Sequence, residues 1–150
     1  MKNYLFKLGQ NAKKASIKTI DSKIKNKVLK DYCKLILKNR LKIISENNKD
    51  LKIAKAKRLK ENLIKRLIID KKKILQIVKS INTITKFKDP VNRTLAKWKR
   101  PNGLKIEKRT IPIGVVTVIY ESRPNVTSDV AALCFKSSNP VILKGGSEAY

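Results

Sequence analysis

The sequence predicts an α/β chain: a helical layer over residues 1–88 that feeds the start of a parallel-sheet domain over residues 89–150. Three observations predict it. Apolar residues recur at three- and four-residue spacing through the first part, the mark of amphipathic helices. Two short apolar runs without alternation, Val115 to Tyr120 and Val141 to Leu143, follow in the second part. Such runs suit parallel strands buried on both faces. The 20 residues between the runs leave room for the helix that a parallel connection needs. Ligands of such sheets sit outside the carboxyl ends of the strands. Those ends are the loops Arg123-Pro124-Asn125 and Lys144-Gly145-Gly146, and both are expected to open onto one crevice.

Leu5, Leu8, Ala12 and Ala15 form the stripe of a first helix. Asp21 or Ser22 can cap the second, with Ile24, Val28, Tyr32 and Leu35 as its apolar face and Cys33 beside it as packing. A third helix is expected from Leu51 to Leu59, a fourth from Leu63 to Ile69, and a fifth around Ile74, Val78 and Ile81. No catalytic constellation occurs among them. Asp89-Pro90 closes this region, because the residue before proline is pushed out of the helix. Trp98, the one tryptophan, is expected as a partly buried anchor. Pro101-Asn102-Gly103 signals a turn, and Leu104 to Ile111 alternates as a half-exposed strand does. Val126 to Lys136 is the expected crossover helix, with Thr127 as N-cap and Asp129 in the first turn, where the helix dipole favours an anion.

Composition narrows the function. Net charge is +26, from 37 basic and 11 acidic residues. From Ile111 onward three basic residues (Arg123, Lys136, Lys144) balance three acidic ones (Glu121, Asp129, Glu148), so the whole excess lies in the first 110 residues. A nucleic-acid-binding helical module is one reading of that excess. Compositional drift toward Lys, Ile and Asn is the favoured one. Lys greatly outnumbers Arg and aromatics are 5% of residues, whereas base-reading and stacking surfaces want Arg and aromatics. With no His, and with Cys33 and Cys134 far apart, the chain holds no zinc-ligand spacing and no Ser-His or Cys-His pair. The same cysteine usage suits a reducing cytoplasm. No apolar run approaches the ~20 residues of a membrane span, and the basic N-terminus lacks the apolar core of a signal peptide.

The two loops carry more than their spacing. Tyr120-Glu121-Ser122-Arg123-Pro124-Asn125-Val126-Thr127, Ala131-Ala132-Leu133-Cys134, Asn139, and Val141-Ile142-Leu143-Lys144-Gly145-Gly146-Ser147-Glu148-Ala149 follow one another in this order. Upstream stand Asp89-Pro90-Val91, Arg100-Pro101-Asn102-Gly103-Leu104 and Pro112-Ile113-Gly114-Val115. Together they resemble gamma-glutamyl phosphate reductase (glutamate-5-semialdehyde dehydrogenase) of the aldehyde dehydrogenase superfamily. The resemblance is dense from Asp89 to Ala149 and implies a truncated aldehyde dehydrogenase-like fold, the N-terminal portion of a longer enzyme whose Rossmann-like domain binds NADP. Three positions depart from the family pattern. Asn92 stands where Gly is common, and Ser138 and Pro140 flank Asn139 where Gly and Ala are usual.

The resemblance also implies a chemistry: NADPH-dependent reduction of L-glutamyl 5-phosphate to the 5-semialdehyde, in proline biosynthesis. A thiolate attacks the acyl carbon and expels phosphate, and the thioester is then reduced. In the family that cysteine lies in a later segment. Cys134 is rejected, since it sits in an apolar helix face with no base or cation to activate it. Asn125 matches the family position whose amide stabilises the oxyanion; on spacing alone it is a turn residue or N-cap. Lys144 matches the contact to the adenosine ribose and its 2′-phosphate, where the family often has Arg. Gly145 and Gly146 would let the backbone approach the cofactor. Ser147 and Glu148 are ribose partners or a capped loop. Arg123 meets a substrate carboxylate or phosphate, or pairs with Glu121. The resemblance further implies a homo-oligomer, with strands near Leu104 in a hairpin arm, and a link to glutamate 5-kinase. A non-catalytic remnant is the remaining reading, because the nucleophile is missing from these 150 residues.

Overall fold

A computed structural model describes residues 2–18, 20–121 and 123–146. Five helices come first: α1 (Lys2–Ser16), α2 (Ser22–Lys38), α3 (Arg40–Ala56), α4 (Glu61–Leu67) and α5 (Lys71–Lys86). The hairpin β1 (Thr94–Lys99) and β2 (Lys105–Arg109) follows, then β3 (Val116–Ile119), α6 (Pro124–Lys136) and β4 (Val141–Lys144). Two helices start on carboxylate caps. Asp21 accepts the Lys23 N–H at 2.7 Å, and Asp70 accepts the Lys73 N–H at 2.6 Å.

The core sits between α2, α5 and α6. Leu29, Cys33 and Ile36 of α2 meet Ile74, Ile77, Val78, Ile81 and Ile84 of α5, and Ala132 of α6 closes the cluster. The helical layer and the β3–α6–β4 unit therefore share one core. Ile74, Val78 and Ile81 are buried as their spacing predicts. The face of α2 differs from the expected one by one residue. Ile24, Val28 and Leu35 are exposed, and the buried line is Lys25, Leu29, Cys33 and Ile36. Apolar residues occupy both adjacent lines of α2, so periodicity alone could not choose. A buried cation decides it: Lys25, 1% exposed, pairs with Asp89 at 2.8 Å. α3 is also longer than expected and starts at Arg40, because Asn39 alone separates it from α2. Its amphipathic signal is weak, with only Asn47 and Ala54 buried. The Asn47 amide donates to Leu67 O at 2.9 Å and accepts from the Ile69 N–H at 2.7 Å, which ties down the end of α4.

β3 and β4 are parallel, in register from Val116↔Val141 to Ile119↔Lys144, as the two apolar runs predict. The strands are less buried than predicted. Ile119 is 79% exposed and alternate residues of β3 face outward. Among the described residues β4 meets both α1 and α6, while alternate residues of β3 are left uncovered. Asn139 holds the N-terminal end of the unit: its side-chain oxygen accepts the Gly114 N–H at 3.0 Å and its amide donates to Ser137 Oγ at 2.8 Å. Gly114 has φ +114, outside the range an L-residue adopts readily.

The crossover helix starts earlier than expected. Pro124 occupies the first helical turn, where its fixed φ is preorganised and its missing N–H costs nothing. Arg123 is thus the cap residue, without a side-chain cap bond, and Thr127 lies inside the helix. α6 ends in a Schellman motif: Asn139 N–H reaches Cys134 O at 2.8 Å and Ser138 N–H reaches Phe135 O at 3.1 Å. That motif puts Ser138 at φ +56, and Asn92 stands at φ +58. Both positions where the sequence departs from the family's Gly are left-handed.

The β1–β2 hairpin pairs with no other strand among the described residues. Its turn is closed by Gly103 N–H to Arg100 O at 2.9 Å, with Gly103 at φ +87. Leu95 and Leu104 are both 57% exposed and Trp98 is 45% exposed, more open than a partly buried anchor.

Candidate active site

The carboxyl ends of β3 and β4 form the edge that the loops were expected to share. The Tyr120 N–H donates to Lys144 O at 3.0 Å, extending the ladder past Ile119. The Tyr120 hydroxyl lies 2.5 Å from Thr127 Oγ1, which joins the end of β3 to the first turns of α6. The start of α6 divides this edge between two cavities. Pro124, Thr127 and Ser128, at i, i+3 and i+4, face one side. With Tyr120, Gly145 and residues of α2, α3 and α5 they line a cavity of about 480 Å³. Asn125 and Asp129, also i and i+4, face α5 and line a cleft of about 170 Å³ with Lys73, Gln76, Ile77 and Ser80. The two loops lie at the same sheet edge, but Asn125 and Gly145 do not share one crevice. The cause is the early start at Pro124, which turns Asn125 onto the α5 side.

Each sequence-predicted residue can now be placed. Asn125 is half-buried, and its Nδ2 donates to Asp129 Oδ2 at 3.2 Å. An amide carries two N–H donors, so this bond occupies one. Lys144 is exposed at the end of β4; among the described residues its Nζ reaches only its neighbour's carbonyl, Gly145 O, at 3.5 Å. A Cβ at Gly145 would meet the Tyr120 ring at 3.6–3.7 Å, ordinary contact, so the chain's own packing does not demand glycine there. Gly146 is half-buried beside it. Ser147 and Glu148 lie outside the described residues. Arg123 is exposed, and among the described residues no ion pair joins it to Glu121. Burial pushes the Cys134 thiol up, and burial likewise raises Cys33, whose Sγ sits 3.8 Å from Val78 O. Neither has the lowered pKa of an activated thiol.

Sequence reading gave Asp129 only a dipole role in the first turn of α6. The structure puts it one turn further on, inside the α5–α6 cleft, with Oδ1 buried and accepting no hydrogen bond from the described residues. The signal was its i, i+4 spacing from Asn125, which places both on one helix face.

No family model matches the chain. Curated sequences and solved structures do. It is 50% identical over 131 residues to a protein of Nautilia profundicola named gamma-glutamyl phosphate reductase, covering 87% of this chain and 32% of that protein. A protein of the same name from Clostridium tetani is 43% identical over 151 residues, covering 99% and 35%. The crystal structure of gamma-glutamyl phosphate reductase from Thermotoga maritima superposes with a TM-score of 0.92 at 34% identity, covering 97% of this chain and 36% of that one. The chain is a relative of the gamma-glutamyl phosphate reductases. The Saccharomyces cerevisiae gamma-glutamyl phosphate reductase structure agrees, with a TM-score of 0.91 at 34% identity over 95% of this chain and 37% of that one. The chain spans about a third of the length of the reductases it matches, their N-terminal portion.

The described residues hold no group of three potential metal ligands. None of the described helices is long and apolar enough to cross a membrane. The basic excess is spread over α1 to α5 and the hairpin. Among the lysines whose burial is described, only Lys25, Lys73 and Lys136 are not exposed.

Proposed function

We propose that this chain is part of a cytoplasmic gamma-glutamyl phosphate reductase that converts L-glutamyl 5-phosphate to L-glutamate 5-semialdehyde with NADPH, in proline biosynthesis. The observation that carries the reading is the β3–α6–β4 unit, with the Arg123-Pro124-Asn125 and Lys144-Gly145-Gly146 loops at the carboxyl edge of parallel strands. The relatives' name, gamma-glutamyl phosphate reductase, supplies the substrate.

The residues at this edge fit a nicotinamide cofactor. The exposed Lys144 ammonium offers a cation to the ribose 2′-phosphate, and Gly145, without a side chain, would let the backbone come close. Gly146 would let the backbone approach likewise, and Ser147 and Glu148, outside the described residues, would be ribose partners. When bound, the cofactor supplies the two electrons of the reduction. The protein's own contribution is electrostatic. As the acyl carbonyl is attacked its oxygen gains negative charge, and the second N–H of the Asn125 amide stabilises that charge in a fixed position. Arg123, exposed at the start of α6, offers a guanidinium to the leaving phosphate or a substrate carboxylate. The enzyme would be a homo-oligomer. The exposed β1–β2 hairpin would serve as its contact arm, and glutamate 5-kinase would be a functional partner.

The test is purification of the full-length protein that contains this chain. It is assayed for phosphate-dependent oxidation of L-glutamate 5-semialdehyde, followed by NADPH formation. Turnover with NADP and phosphate is expected. A folded protein with no turnover on this aldehyde would overturn the assignment.

A further inference from the structure

Resting on the reading of Asn125 above, we infer that Tyr120 is a positioning residue: its hydroxyl ties the first turns of α6 to the loop after β4, and so fixes the direction in which Asn125 presents its amide. Three contacts converge on Tyr120. Its N–H donates to Lys144 O at 3.0 Å, which holds the end of β3 to the end of β4. Its hydroxyl and the adjoining ring carbons lie 3.6–3.7 Å from where a Cβ on Gly145 would stand, so the phenol end of the ring rests beside the Gly145 backbone. The same hydroxyl lies 2.5 Å from Thr127 Oγ1 on α6. One oxygen therefore stands between the loop after β4 and the helix that carries Asn125.

The start of α6 needs such a tether. Arg123 makes no side-chain cap bond, and the N–H groups of a helix's first turn have no partner within the helix. The side-chain bonds from Asn125 to Asp129 and from Ser128 to Asn125 O stay within α6. Among the described residues, the Thr127–Tyr120 bond is the one side-chain hydrogen bond that runs from these turns to another element. Its place on the helix gives it leverage. Successive residues of an α-helix are rotated by about 100°, so Thr127 lies about 200° from Asn125, close to the opposite face. Thr127 lines the cavity that Tyr120 and Gly145 also line, and Asn125 lines the α5 cleft. Holding Thr127 therefore sets the rotation of the turn that aims the Asn125 amide. An oxyanion donor works when it is aimed at the place where charge develops, and a misplacement of about 1 Å costs about 10²-fold in rate. The role of Tyr120 is exercised through Asn125 and not on the substrate.

The test is a set of variants of the full-length enzyme in the phosphate- and NADP-dependent oxidation of L-glutamate 5-semialdehyde. Tyr120→Phe keeps the ring beside Gly145 and removes only the hydroxyl. It should lower kcat about tenfold, the scale of one neutral hydrogen bond, with the KM for NADP unchanged. Thr127→Val removes the other partner of the same bond and should give the same loss, while Thr127→Ser, which keeps a hydroxyl, should restore turnover. The two losses should not add in the enzyme that carries both Tyr120→Phe and Thr127→Val, because they break one bond. The deciding measurement places Tyr120→Phe in the Asn125→Ala enzyme. With no amide left to aim, the residual kcat should fall no further. A further tenfold loss in that background, or a parental kcat in Tyr120→Phe alone, would overturn the inference while leaving the reductase assignment standing. Failure of the unsubstituted enzyme on this aldehyde would overturn that assignment itself. A parental kcat in Asn125→Ala would overturn the reading of Asn125, and the inference with it.

Discussion

Two residues show how single side chains set the stability of this chain. Ser138 occupies the left-handed position of the Schellman motif at φ +56, where a Cβ costs roughly 1–2 kcal/mol. Replacing it by Gly removes that strain and returns roughly 0.4–1 kcal/mol of unfolded-state entropy. Ser138→Gly should therefore stabilise by about 0.5–1 kcal/mol, read as a rise in the urea midpoint with an unchanged slope. Asn92→Gly should change stability less, because Asn tolerates φ +58. Asp89 is the second case. Burial alone would raise its carboxyl, but hydrogen bonds from Lys25, the Val91 N–H and Ser22, with the Lys25 charge, hold it below the ordinary carboxylate value. A depressed folded pKa contributes stability above the unfolded value of about 3.9, and that stability is lost as pH falls through the folded value. Lys136 depends on the same group. Burial pushes its ammonium down, Asp89 opposes that, and its Nζ donates to Asn26 Oδ1 at 2.5 Å. Asp89→Asn leaves two buried lysines without their carboxylate and should cost about 3 kcal/mol near neutral pH. The gap between variant and parent should narrow as pH falls below about 4, where the unfolded chain's carboxylate takes up its proton, and close only once pH has passed the lower folded value. Urea melts across that range check both statements.

At the scale of elements, the fold was legible where local chemistry and tertiary packing agreed. α5 could be read from Ile74, Val78 and Ile81 because its apolar residues lie on one face, and that face is buried. β3 and β4 could be read as parallel because a 20-residue crossover allows no short hairpin. The buried face of α2 could not, since it depends on Lys25 finding Asp89 across 64 residues of sequence, a long-range pairing without a local mark. The start of α6 was misread because Thr127 was taken as the N-cap, whereas the helix begins at Pro124. That choice left Asn125 outside the helix and Asp129 in its first turn, so the site's division into two cavities was hidden with it. The hairpin tests the element scale directly. Its residues are almost all exposed, and an isolated two-stranded ribbon is marginal in water. In the isolated chain, amides of Thr94–Lys99 should exchange with solvent far faster than those of Lys71–Lys86, whose face is in the core. Comparable protection in both would mean that the hairpin is covered.

For the whole molecule, the +26 charge and the proposed site make separate claims. Exposed lysines scattered over five helices give a diffuse field without a shaped groove. Binding to a random DNA duplex should therefore be weak, indifferent to sequence and steeply salt-dependent. A titration at physiological salt that gave tight, sequence-selective binding would restore the nucleic-acid reading. The site claim is that one sheet edge presents an oxyanion donor and a cofactor contact on opposite sides of the α6 N-terminus. Steady-state kinetics of two variants in the full-length enzyme test it most directly. Asn125→Ala should lower kcat by about 10²–10³-fold with little change in the KM for NADPH, since the amide acts where charge develops. Lys144→Ala should do the reverse, raising the KM for NADPH while saturated turnover stays near the parent's, as loss of a uniform-binding contact does. A folded Asn125→Ala enzyme with near-parental kcat would contradict the account.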